Sequence, residues 1–319
     1  MKVANAGILA DIEVDKIDRN PDNPRLVFRQ GELDDLAESI SQKGVLQPIS
    51  VYTDKDRYVL IDGERRWRCS RKMNLKTIPA LIQPKPSPLD NLLMMFTIHS
   101  LRQQWDLLTI AHKLPRVTEL LKESFGKQPT EKDVAQATGL PRAVVRRCRL
   151  LLDLPQHYLD ELLDELKKPK QQRRFTEDFF IEMERALKTI QNALPQVLDT
   201  EEKKEQARAA LVDKYDKGVI NNMVEFRQLA KVARAKNVAA DPSQAASALR
   251  KVFTAPRYSI QQAYDDTVSS AYLERDITTR VSGLIELLEE VNPKDLDEEA
   301  ILGLQRLATL VAGLVRGRT

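Results

Sequence analysis

The chain has 319 residues, 42% hydrophobic and 30% charged, with aromatics at 5% and only 11 glycines. That balance argues against a β-sandwich or a disordered chain and favours helical globular structure in two or three compact units. A formal charge of +3 carries no chain-wide signal for a polyanion, so a basic surface has to be a local patch set against acidic helices elsewhere. Cys69 and Cys148 are far apart and each lies in a periodic segment, the pattern of two reduced, buried thiols in a cytosolic protein. The N-terminal apolar stretch is too short for a signal peptide, and no run reaches the length of a bilayer span. The expectation is a cytoplasmic protein with no membrane partner.

In chain order, residues 8 to 86 alternate between short β-type runs and amphipathic helix. ILADIEVDKI reads as a strand leading into the turn-rich NPDNPRL. LDDLAESISQKG places Leu33, Leu36, Ala37 and Ile40 at helical spacing before a stop at Gly44. LQPISVY and RYVLI read as two strands joined through TDKD, GERRWRCSRKMNL as a helix starting near Gly63, and TIPALI as a last strand. The order is β, α, β, β, α, β, closed by PKPSP, which sets a boundary near residue 87. Residues 88 to 166 read as helices. Within them TEKDVAQATGLPRAVVRRCRLLLDL has helix-turn-helix form: Val134, Ala135 and Thr138 inward, Gly139 at the turn, Leu140, Val145 and Cys148 back in the core. Thr130 and Asp133 make a capping box for its first helix. After the basic connector KKPKQQRR, residues 175 to 319 read as an all-helical region with breaks near Pro195, Pro242, Pro256 and Pro293. Ile277, Val281, Leu284, Leu288 and Val291, then Leu304, Leu307, Val311 and Leu314, recur at heptad-like spacing and predict a helical hairpin. Such a hairpin could close on the chain's own helices, pair with a second copy or take a partner protein. The fold class is therefore α+β, a small α/β domain followed by an all-α helix-turn-helix domain and an all-α C-terminal region.

IDGERRWRC, residues 61 to 69, puts a glycine, an acid and three arginines at a strand-to-helix junction, where free N–H groups and the helix dipole favour an anion. Arg65, Arg66 and Arg68 add bidentate donors. The residues alone support two readings equally: a phosphate site, or a basic helix start paired with Glu64 and nearby acids. Arg142, Arg146 and Arg147 are expected outward on one face of the second helix-turn-helix helix, offered with Arg149 to DNA, Arg142 to bases first. The alternative is a solvated basic face, and KKPKQQRR reads equally well as a phosphate contact or a solvated linker. Trp67 reads as a core anchor rather than a base-stacking platform.

LDDLAESISQKGVLQPISVY followed by RYVLIDGERRWRCSRKMNLKTIPALI, with the NPDNPR start, resembles the N-terminal domain of the ParB/Spo0J partition family. The helix-turn-helix follows at the family's distance, so the resemblance covers about residues 8 to 160. It implies a CTP-binding domain, a dimer clamped on double-stranded DNA and a helix-turn-helix that finds a short palindrome. By that resemblance Gly63, Glu64, Arg65, Arg66 and Arg68 surround the triphosphate, and Gly44, Gln47 and Pro48 lie by the cytosine and ribose. The family's second phosphate motif, Glu-Asn-x-x-Arg, aligns with TIHSLRQQW, where Ile98 and His99 replace acid and amide and Arg102 remains. In the family that pair holds magnesium, and isoleucine offers no oxygen to a hard cation. The expectation is nucleotide binding without fast hydrolysis, no catalytic residue assigned, no protein metal cluster, and magnesium dependence left open.

The function implied is a CTP-responsive DNA-binding switch in plasmid or chromosome partition, whose C-terminal helices assemble a homodimer or recruit a partition ATPase or another protein. A transcriptional regulator or silencer would share every motif. A metal nuclease would need clustered acids by the arginines, and Asp62 with Glu64 is the one close pair.

Overall fold

The computed structural model describes residues 7–23, 27–100, 106–292 and 295–316, with only the backbone of His99 and Ser100. The N-terminal part is a five-stranded mixed sheet. The run read as one strand is two: β1 (Ile8–Glu13) and β2 (Ile17–Asp18) are separated by a 3₁₀ turn over Val14–Lys16. Both Val14 and Ile17 are buried, which strict alternation of an unbroken strand would not allow, and the turn resolves the conflict. Helix α1 (Gln30–Lys43) follows, then β3 (Ile49–Asp54), β4 (Arg57–Asp62), α2 (Glu64–Lys72) and β5 (Thr77–Gln83). The strand order is β1-β5-β3-β4-β2, with β1 antiparallel to β5, β3 parallel to β5 and antiparallel to β4, and β2 parallel to β4.

The sheet core holds Ile12, Val14, Ile17, Ile49, Val51, Leu60, Ile78 and Ala80, closed by Trp67 of α2. Trp67 is the expected core anchor, buried and donating its indole N–H to the Val14 carbonyl at 3.3 Å. Of the helical stripe expected on α1, only Ile40 is fully buried.

Beyond β5 the described chain is helical: α3 (Pro88–Ser100), α4 (Leu107–Phe125), α5 (Glu131–Thr138), α6 (Arg142–Leu152), α7 (Gln156–Lys167) and α8 (Glu177–Ala193). Then come α9 (Glu201–Asp216), α10 (Glu225–Ala233), α11 (Pro242–Thr254), α12 (Ile260–Thr267), α13 (Ser269–Glu290) and α14 (Glu298–Arg316). One buried cluster takes in Val27 and runs from Leu92 and Phe96 to Val268, and helices on both sides of KKPKQQRR contribute to it. At its middle Phe175, Phe179, Phe180 and Tyr215 form an aromatic nest with ring centroids 4.5 to 5.8 Å apart.

The helix-turn-helix forms as its residues require. Val134, Ala135, Thr138, Leu140, Val145 and Cys148 are all buried, and Gly139 takes the left-handed φ of 72° that ends α5. The capping box is present in both halves: Asp133 N–H donates to Thr130 Oγ1 at 3.2 Å, and Thr130 N–H to Asp133 Oδ2 at 2.8 Å. Both cysteines are free and buried. Burial pushes the Cys148 thiol up to about 12 and raises that of Cys69 above its ordinary value, which favours the protonated thiol in both.

The end of the chain departs from the plain bundle reading. Neither α13 nor α14 buries a residue among those described, and Ile277, Val281, Ile285, Leu310 and Leu314 stand at least 46% exposed. Their heptad stripes face solvent within this chain. Among the described residues no helix is long and apolar enough to cross a membrane.

Candidate nucleotide cradle and DNA-facing helix

Because β3 and β4 pair antiparallel with Ser50 opposite Asp62, the loop before β3 and the turn after β4 lie side by side. The first loop carries Gly44, Gln47 and Pro48, all exposed, and the second carries Gly63. Gly44 ends α1 with φ 70°, its N–H bonded to the Ile40 carbonyl at 2.9 Å. Gly63 caps α2 with φ 95°, and a Cβ there would stand 2.6 Å from Cγ2 of Ile49. Only glycine fits that conformation and that space.

The three arginines each reach a different neighbour. Arg66 Nη1 donates to the carbonyls of Gln47 at 2.7 Å and Pro48 at 2.8 Å, and its Nη2 to Asp62 Oδ2 at 3.1 Å. It thereby ties the two motif loops into one rim. Arg65 donates to the Glu32 carbonyl at 2.9 Å and lies 3.6 Å from the Glu32 carboxylate, while its buried Nε–H has no hydrogen-bond partner. Arg68 donates to Glu64 Oε1 from Nε at 2.8 Å and Nη2 at 2.6 Å, and its guanidinium stacks over Phe28 at 3.9 Å.

Glu64, expected at the triphosphate, is 5% exposed and points into this network. It also accepts from Arg19 Nε at 2.9 Å and from the Asn23 amide. A carboxylate so occupied holds the Arg19 and Arg68 guanidiniums in place. Arg19, Asn20, Asn23, Glu32 and Asn91 were not singled out from sequence. Asn20 is buried, donating to the Leu60 carbonyl at 2.8 Å and to Asn91 Oδ1 of α3 at 3.1 Å. The NPDN repeat of side-chain amides was the available signal: Asn and Asp cap turns and also reach inward from them.

Ile98 is half-buried on α3, and Arg102 lies outside the described residues, as does the His99 side chain. The cradle fits a polyphosphate on its own terms: the α2 N-terminus, three guanidiniums around it and one orphaned buried N–H. Among the described residues no group of three or more His, Cys, Asp or Glu converges as a metal site.

On α6 the arginines diverge, correcting the single face expected for Arg142, Arg146 and Arg147. Arg142 and Arg146 both donate from Nε to Glu131 Oε1, at 3.0 and 3.2 Å. Partial desolvation works to raise the Glu131 carboxyl, but the Arg142 hydrogen bond and the two arginine charges outweigh it and hold the group below the ordinary glutamate range. Arg147, displaced by roughly 100° per residue around the helix, turns to α8 and bonds Asp178. Arg149 lines a groove with Arg116 and Lys122 of α4. Within KKPKQQRR, Arg174 bonds Glu161 and Asp216 and stacks on Phe175 at 4.3 Å, a structural use not foreseen for that stretch.

A small mixed sheet with a glycine-to-arginine turn, continued by a helix-turn-helix, defines the class: a ParB-type N-terminal domain joined to helical domains. Residues 2–95 match the ParB N-terminal domain family, so this part of the chain is a ParB N-terminal domain. The chromosome-partitioning protein ParB of Caulobacter vibrioides is 38% identical over 157 residues, 47% of this chain and 48% of that protein. The chain thus matches about half the length of this curated relative. Two crystal structures of C-terminally truncated ParB from Caulobacter crescentus are also similar. The one complexed with CTP-γ-S is 34% identical over 48% of this chain and 85% of that one, TM-score 0.28. The one complexed to the centromeric parS site is 25% identical over 70% and 98%, TM-score 0.41.

Proposed function

We propose that this protein is a CTP-responsive switch that grips double-stranded DNA through α5 and α6, in plasmid or chromosome partition. The observation that carries the reading is Arg66, whose guanidinium joins the Gln47–Pro48 loop to the Gly63 turn and so closes a rim around the α2 N-terminus. The likeness of the N-terminal domain to ParB proteins supports CTP as the nucleotide. Gly44, Gln47 and Pro48 would line the base and ribose side, and Gly63, Arg65, Arg66 and Arg68 the phosphate side, with Arg102 as the further phosphate contact. When Arg66 and Arg68 turn to phosphate they leave the loop carbonyls and Glu64, and the Asn20–Asn91 pair carries the rearrangement to α3. Ile98 in place of the family's acid supports slow turnover, so release by dissociation sets the switch period. The nuclease alternative is disfavoured because Asp62 and Glu64 are both spent on guanidinium partners. Calorimetry tests the assignment: wild type should bind CTP, and Arg66→Ala should weaken binding by at least about tenfold, the scale of a lost charge-assisted bond pair. Equal affinity in both proteins would remove Arg66 from the site.

DNA is met by Arg142 and Arg146, with Arg149 and Arg147 at its flanks, so affinity should fall steeply with salt. The partner for α13 is a second copy. Ile277, Val281, Leu284 and Leu288 are spaced four, three, four, which reads the same in both directions. Two antiparallel copies crossing at Ser282–Gly283 therefore set Ile277 against Leu288 and Val281 against Leu284. Sedimentation should find a dimer for wild type and a 36.4 kDa monomer for Ile277→Asp/Leu288→Asp, with circular dichroism unchanged because both positions are solvent-facing. A dimer of unchanged mass in the variant would reject this interface. α14 is left to a partner such as a partition ATPase.

A further inference from the structure

Glu131 opens α5, and one of its oxygens holds two arginines of α6. Arg142 and Arg146 reach it together because they stand one turn apart and the Gly139 turn crosses α6 over the start of α5. The glutamate side chain is only 17% exposed, whereas the arginine side chains keep 58% and 63%. An arginine anchored through Nε presents its two terminal amino groups as a planar fork, the shape that matches N7 and O6 of guanine. Four residues of helix rise about 6 Å, so the two forks would meet bases about two steps apart, at about 3.4 Å per base.

We propose that Glu131 is a positioning residue for DNA readout: it fixes Arg142 and Arg146 as two pre-set forks, so that α6 selects duplex with guanine at two positions. This rests on the DNA-binding reading of α5 and α6 given above and deepens it. Loose arginines would bind phosphate wherever the chain met it, since a mobile guanidinium loses rotamer freedom equally on any anion. Holding them through Nε removes part of that loss in one geometry only. The carboxylate also repels the phosphate backbone, which lowers affinity for DNA of unrelated sequence. Glu131 therefore raises selectivity and lowers indiscriminate binding together, a pairing that a purely structural residue does not produce.

The test uses the full-length protein and a randomised duplex pool, followed by titration of the selected duplex and of versions with each guanine pair replaced by an adenine pair. Wild type should prefer guanine by roughly tenfold at two positions, the scale of one bidentate base contact. Glu131→Ala should bring both preferences to about twofold or less while binding to unselected duplex stays equal or tightens. Glu131→Gln, which keeps an acceptor oxygen without the charge, should retain part of the preference and share the tighter unselected binding. An Ala variant with undiminished guanine preference, or Ala and Gln variants that lose affinity for all duplexes in proportion, would overturn the assignment. Wild type that binds duplex with no guanine preference also overturns it and leaves DNA binding standing. Wild type that binds no duplex at all removes the DNA-binding reading itself.

Discussion

Replacing Gly63 by alanine is expected to destabilise the N-terminal domain by about 3 kcal/mol and to abolish triphosphate binding, because two penalties fall on one residue. The left-handed conformation, φ 95°, costs a residue with a side chain roughly 1–2 kcal/mol. The added methyl would also stand 2.6 Å from Ile49 Cγ2, and Ile49 is fully buried in the sheet and has no room to yield. Relief comes only by opening the β3–β4 edge, which separates the Gln47–Pro48 loop from α2 and breaks the Arg66 bridge. Urea unfolding followed by calorimetry checks both effects. Gly63→Ala with wild-type midpoint and CTP affinity would mean that the turn is not the constraint described here.

The second large effect belongs to the helical core. Arg208 of α9 and Glu184 of α8 are 2% exposed each and joined at 2.6 and 3.2 Å. Arg208 also reaches Glu205 at 3.1 Å, and Glu205 accepts from the Tyr158 hydroxyl of α7 at 2.9 Å, so three helices share one polar network. Arg208→Met removes both hydrogen bonds to the buried Glu184 carboxylate, leaves it, among the described residues, only Lys204 at 3.8 Å, and should cost about 3 kcal/mol. Removing both charges as Arg208→Met/Glu184→Leu should recover part of that loss, because a buried carboxylate without hydrogen bonds from its main partner, more than the missing attraction, is the destabilising element. Denaturant midpoints of wild type, the two single variants and the double variant close the cycle. A single variant within about 1 kcal/mol of wild type would contradict the burial of this pair.

Local chemistry decided how much of this was legible in the sequence. α5 and α6 could be read residue by residue, since the cap, the turn glycine and the inward positions each have one physical reason for their place, and all occur as expected. Gly63 was legible for the same reason. Glu64 was not: its residue type and position suit a ligand pocket, and only the approach of Arg19 and Asn23 from 41 or more positions away turns it into a buried anchor. The split of ILADIEVDKI into two strands depended on which face Val14 meets, which periodicity alone does not state. Heptad spacing on α13 marked an apolar stripe correctly, and its exposure is a tertiary fact. Arg147 was misplaced by treating nearness in sequence as a shared face, although 100° per residue separates it from Arg146.

The central claim is that nucleotide and DNA bias one switch, and calorimetric titration of CTP into the full-length protein with and without saturating duplex tests it directly. If the cradle and α6 are coupled through α3, duplex changes the CTP affinity by roughly fivefold or more, and CTP changes duplex affinity by the same factor, as reciprocal linkage requires. CTP affinity that is identical with and without duplex, or absence of binding by any nucleoside triphosphate, would contradict the account.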